Sequence, residues 1–238
     1  MRSKERIEIS LRRVSSLTVS ELDDIWAVTS RYIDTDRSLF EARLRALPQV
    51  GLWQVRDGSL VGLVNFDVYP VTWEGRVVTI IFTSSVVIDE RFRGRHLVLQ
   101  TGLRILLRTK LRHPLRPSFW LFDTFSYKSY LLLPRNLHIF WPRRDQPTPH
   151  RHGPFPVPSR PTALRGQLAP GNGCSKSILR INACCRRPHR SMRQRFPTPM
   201  SGFSLLANPR HRDGDRLVCL APLSVANLTG AVGRMLRF

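Results

Sequence analysis

The six residues Arg91-Phe92-Arg93-Gly94-Arg95-His96 stand directly before a helical pattern, and that position lends them a chemistry. The first N–H groups of a helix have no intrahelical acceptor, and glycine lets the chain approach a ligand with no side chain in between. A phosphate is the ligand that suits such a turn. The same residues also read as an ordinary basic turn between a strand and a helix, and both readings stay open at this point. Two phenols follow in Phe125-Ser126-Tyr127-Lys128-Ser129-Tyr130. At i,i+3 spacing Tyr127 and Tyr130 occupy adjacent parts of one helix face, where tyrosine also commonly fills the amphipathic edge of a core. No metal site is expected. Cys174, Cys184, Cys185 and Cys219 include no CxxC pair and no neighbouring ligands at zinc spacing.

Residue periodicity supplies the elements that must position these groups. Ile7, Ile9 and Leu11 alternate with polar residues as in a half-buried strand. Ser20-Glu21-Leu22-Asp23 reads as a capping arrangement, and Leu22, Ile25, Trp26, Thr29 and Ile33 follow at helical spacing. A short helix is expected after Asp36, burying Phe40, Leu44 and Leu47. Val50–Val55, Leu60–Val68 and Val77–Ile88 are apolar runs separated by Asp57-Gly58 and Glu74-Gly75, which predicts a three-strand antiparallel meander. After the glycine-bearing turn, Leu99, Leu103, Leu106, Leu107 and Leu111 trace a helix, with Arg104, Arg108 and Arg112 on its other face. Pro114 and Pro117 end it. Ser118–Asp123 reads as a buried strand, and Ser126–Leu133 as a short helix closed by Pro134.

The chain has 238 residues and a formal net charge of +21, yet the charge is uneven. Residues 1–100 carry 14 Lys/Arg against 13 Asp/Glu, whereas residues 101–238 carry 24 against 4. The basic character therefore says nothing about the first half. From 146 to 209 there are 10 Lys/Arg, no acid and 11 of the 18 prolines, with no sustained period, and the segment reads as unfolded. A true linker and an out-of-frame translation between roughly 148 and 205 both fit that composition. The expected organisation is a domain over 1–145, a low-order Pro/Arg-rich segment over 146–209, and a short ordered segment over 210–238. That last segment holds a polar turn at Asp213–Asp215, a run Leu217–Leu223 and a final helix from Ser224. Nonspecific adhesion of the basic stretch to nucleic acid is expected, but specific recognition is not, because it has no reading motif and few aromatics. No apolar run approaches the roughly 20 residues of a membrane-spanning helix, and no signal segment opens the chain. A cytoplasmic location is the expectation.

The order strand, two helices, three-strand meander, glycine-bearing turn, helix, strand, helix resembles the GNAT acyltransferase superfamily over residues 1 to about 143. The resemblance implies an α/β fold with a mixed, mostly antiparallel sheet flanked by helices. It implies that the turn after the fourth strand binds the pyrophosphate of acetyl-CoA or another acyl-CoA. The superfamily pattern there is Gln or Arg, two variable residues, Gly, one variable residue, then Gly or Ala. Arg91 and Gly94 match, whereas His96 stands where a small residue is expected. Arg93 and Arg95 flank the glycine. By the same resemblance, the backbone of Val86, Val87 and Ile88 would pair with the pantetheine arm, and Tyr127 or Tyr130 would protonate the leaving thiolate. A buried β-branched strand is the plainer account of the valines. Asp67 and Glu90 are the carboxylates nearest the expected site, and neither is assigned as base. The implied reaction moves an acyl group to an amine of a small molecule or peptide; an inactive acyl-CoA binder is the alternative.

Overall fold

In a computed structural model of the chain, residues 5–124, 127–143 and 217–235 are described. The expectations for 146–209, for Asp213–Asp215 and for Phe125 and Ser126 lie outside them. Among the described residues there are six strands, β1 Ile7–Arg13, β2 Gln49–Val55, β3 Leu60–Trp73, β4 Arg76–Ile88, β5 Ser118–Thr124 and β6 Leu217–Pro222. The helices are α1 Val19–Thr29, α2 Arg37–Arg45, α3 Leu97–Arg112, α4 Tyr127–Tyr130, α5 Leu132–Asn136 and α6 Val225–Met235. The strands are ordered β1-β2-β3-β4-β5-β6 in one mixed, mostly antiparallel sheet flanked by helices, as the resemblance implied. The expected order of elements is met throughout residues 7–130.

The chain divides into two compact units. The first comprises Met1–Val68 and Ile81–Pro114, together with a stretch outside the described residues. Here β1 and β2 pair antiparallel from Ile7↔Val55 to Arg13↔Gln49, and β2 pairs antiparallel with β3. Alternation along β2 sends Val50 and Leu52 to a cluster with Ile25, Val28, Phe40 and Leu44 of α1 and α2. Trp53 and Val55 join Val64, Phe92 and Leu97 in a second cluster. Period-2 patterning thus gives the strands two apolar faces, each covered by helix or turn.

Two local readings in this first unit are corrected. The capping box is Thr18 and Glu21, because the Thr18 hydroxyl accepts the Glu21 N–H at 3.2 Å and the Glu21 carboxylate accepts the Thr18 N–H at 2.8 Å. The N-cap therefore lies two residues before Ser20, and those hydrogen bonds hold the Glu21 carboxyl below its ordinary range. In α3 the buried row is Leu97, Thr101, Ile105 and Thr109, joined by Leu99 and Leu106. Leu107 and Leu111 point outward, 55% and 84% exposed. Thr101 holds an inward place because its hydroxyl accepts the buried Trp53 indole N–H at 2.8 Å while donating to Leu97 O. A leucine there would strand the indole proton.

The second unit comprises Tyr69–Ile80, Leu115–Ser159 and Gly171–Phe238, of which 69–80, 115–124, 127–143 and 217–235 are described. Glu74 and Gly75, both at positive φ, close the β3–β4 hairpin. β5 and β6 pair antiparallel from Phe119↔Pro222 to Thr124↔Leu217. Pro134 does not close a helix, for it lies in the first turn of α5, where a missing N–H costs no intrahelical bond. Asn227 of α6 is fully buried. Its Oδ1 accepts the N–H groups of His138 and Ile139, and its Nδ2 donates to Ile139 O and Pro222 O.

Candidate functional site

The first unit builds the turn from the end of β4. Ser85 has φ 49, a left-handed residue inside a strand, and past it the side chains separate. Val86 is exposed, Val87 is buried and Ile88 lies between. Backbone and packing roles are thus both open to this stretch. Gly62 of β3 sets how closely it is approached, because a Cβ there would lie 2.4 Å from Val87 O and 3.1 Å from Ile88 Cα. Asp89 N–H continues the contact to Val61 O at 2.8 Å.

Asp89 then closes a single 3-10 turn, Glu90–Phe92. Its Oδ1 accepts the Arg91 N–H at 3.0 Å and Arg91 Nε at 3.1 Å, while Oδ2 accepts Arg91 Nη2 at 3.2 Å. Arg31 Nη1 lies 3.9 Å from the same carboxylate. Chiefly through the Arg91 side chain, the carboxyl is held below the ordinary aspartate range. Phe92 is buried, with the Arg91 and Arg95 guanidinium carbons 5.6 and 5.0 Å from its ring centroid. Arg95 Nη1 donates to Glu5 O at 2.7 Å.

Gly94 and His96 both take positive φ, at 85 and 55. For Gly94 this is the conformation that favours glycine, and among the described residues an added Cβ would meet nothing within 4 Å. His96 occupies the N-cap of α3 in the left-handed region. A position needing positive φ explains why a small residue suits it, and histidine is among the side chains that enter this region more often than most. No acidic residue occupies the first turn of the 16-residue α3. An open glycine, a long helix starting behind it and three arginines around it suit a phosphate, such as the pyrophosphate a coenzyme would bring.

Sequence reading did not single out Asp89, Arg31 or Tyr32. Tyr32 follows α1; its hydroxyl accepts the Glu90 N–H at 3.2 Å and its ring lies under the Arg93 guanidinium at 5.1 Å. No local motif announces such a partner, since its contact is made by the fold. Of the carboxylates considered, Asp67 is buried with Oδ1 accepting the Val68 N–H, and Glu90 is exposed. In the second unit Tyr127 opens α4 and Tyr130 closes it. Tyr130 is fully buried, donates its hydroxyl proton to Pro142 O at 2.9 Å and meets the edge of Phe140. Among the described residues no cluster of His, Cys, Asp and Glu is placed to hold a metal, and no helix is long and apolar enough to cross a membrane.

No protein-family model and no curated protein matches the sequence. Solved structures do resemble it. A GNAT family N-acetyltransferase from Escherichia coli in complex with CoA has 19% identity and TM-score 0.36, covering 50% of this chain and 62% of that one. A Trypanosoma brucei acetyltransferase has 20% identity and TM-score 0.35, covering 52% and 88%. A Saccharomyces cerevisiae N-myristoyltransferase with bound myristoyl-CoA has 13% identity and TM-score 0.37, covering 50% and 29%. The chain thus spans less than two thirds of the first and under a third of the last. A likeness at this level carries no statement about family, reaction or residues.

Proposed function

We propose that this chain is an acyl-CoA-dependent N-acyltransferase, acting on an amine of a small molecule or peptide. The observation that carries the reading is the turn from Asp89 to Leu97, where an open glycine at φ 85 precedes a long helix with no acid in its first turn. Backbone N–H groups between Arg93 and Leu97 would hold the pyrophosphate, with Arg91, Arg93 and Arg95 supplying positive charge and His96 setting the helix start. The backbone of Val86, Val87 and Ile88 would accompany the pantetheine arm. When bound, the coenzyme supplies an activated thioester. Tyr127 or Tyr130 would give a proton to the departing thiolate; for Tyr130 this means releasing the hydrogen bond to Pro142 O.

Coenzyme A should protect the amides of 93–97 from hydrogen exchange. Gly94→Glu should weaken binding by at least tenfold through its charge, whereas Gly94→Ala reports the strain of positive φ alone, about 1–2 kcal/mol. Equal affinity in parent and Gly94→Glu would remove the turn from the site. For the acid, kcat and coenzyme affinity are measured in Tyr127→Phe and Tyr130→Phe with a panel of amines and thiol detection. A general acid is worth about 10²–10⁴-fold in rate, so the variant that lost it would show that drop in kcat with affinity kept. A parent that binds coenzyme and turns over no acceptor would instead be a non-catalytic binder.

A further inference from the structure

We propose that Tyr32 is a positioning residue of this site, its ring holding the guanidinium of Arg93 where that group meets phosphate. The inference rests on the acyl-CoA reading above. Three arginines crowd the turn, and they are not equivalent. Arg91 is engaged through Nε and Nη2 with the Asp89 carboxylate, whose side chain is only 7% exposed. Arg95 donates to Glu5 O and lies over Phe92. Arg93 is held at two points that leave its fork available. Nε donates to Ile88 O at 3.3 Å, and the guanidinium carbon sits 5.1 Å from the Tyr32 ring centroid. Among the described residues neither Nη group of Arg93 donates a hydrogen bond. A planar fork with two parallel donors is the arrangement that matches phosphate oxygens, and stacking fixes its plane beforehand.

Tyr32 is itself fixed. Its N–H donates to Thr29 O at 3.0 Å at the end of α1, and its hydroxyl accepts the Glu90 N–H, so ring and turn are tied at a second point. The residue that matters for binding in this pair is thus Arg93, and its geometry is set from a segment distant in sequence.

The test is titration calorimetry with coenzyme A, which binds without turnover, on the full chain. Tyr32→Leu removes the ring and should weaken binding about two- to fivefold, the range of an exposed cation–π contact. Tyr32→Phe keeps the ring and should stay within about twofold of the parent. Arg93→Ala should lose more, about tenfold, and adding Tyr32→Leu to it should cost nothing further. That non-additivity is a signature a merely structural tyrosine would not give. Arg93→Lys, which keeps the charge and loses the plane, covers the case of a Tyr32→Leu chain that does not fold; it should bind as weakly as Tyr32→Leu is expected to. Losses that add in the double variant, or parent-like affinity in Tyr32→Leu or Arg93→Lys, would overturn the inference and leave the acyl-CoA reading standing. A parent that does not bind coenzyme A would overturn both.

Discussion

Thr101 shows how one hydroxyl decides a helix face. It accepts the Trp53 indole proton and donates its own to Leu97 O, so it ties α3 to β2 inside the core of the first unit. Thr101→Val keeps the shape and loses the acceptor, leaving a buried donor unpaired at a cost of about 1–3 kcal/mol. Thermal unfolding should show the loss for valine and only a small change for Thr101→Ser. The residue was hard to find from sequence for the same reason. An apolar tally follows the leucines, and Leu107 and Leu111 are exposed while two threonines lie in the buried row. Tyr32 and Asp89 escaped notice because their partners are reached only through the fold.

At the scale of the element, the end of β4 and the turn after it depend on two contacts that act in different ways. Gly62 admits the β4 backbone, and Gly62→Ala would force a methyl to within 2.4 Å of Val87 O. Something must shift. We expect a destabilisation of about 1–3 kcal/mol by denaturant unfolding; at the proposed site, where Val87 and Ile88 would move with it, coenzyme binding should weaken as well. Asp89 contributes through charge. Its carboxyl is held below the ordinary range, so its stabilising share is complete above about pH 4 and is lost as pH falls through the lowered value. Stability followed from pH 5 to pH 2.5 should therefore decline less steeply in Asp89→Asn than in the parent, although the variant starts lower. Most elements were legible because their signals are local: period-2 runs gave the strands, and Asp57-Gly58 and Glu74-Gly75 gave the hairpins. Capping was misplaced by two residues because Ser20 and Thr18 both head a plausible box, and only backbone conformation separates them.

At the scale of the whole molecule, residues 217–235 are integrated with much earlier sequence. β6 pairs along the full length of β5, and Asn227 satisfies four backbone groups from His138, Ile139 and Pro222. Asn227→Ala would leave several buried polar groups without partners, and we expect a loss of about 2–4 kcal/mol. Asn227→Asp, which keeps the acceptor but turns a carboxylate oxygen toward the Ile139 and Pro222 carbonyl oxygens, should lose at least as much as alanine in the same unfolding experiment near neutral pH. Sequence patterning foresaw a strand and a helix here but could not assign their neighbours, because pairing register is not written in either strand alone.

The partners Phe119 and Pro222 are 103 residues apart in the chain, although they lie opposite each other on adjacent strands. At the usual pace of synthesis, about 5–20 residues per second, β5 leaves the ribosome roughly 5–20 s before its partner exists. During that interval a strand containing Phe119, Trp120, Leu121 and Phe122 has one edge with nothing to pair with. Such an edge is a template for any other extended chain nearby. The yield of folded protein should therefore depend on the rate of translation and on chaperones that shield nascent strands.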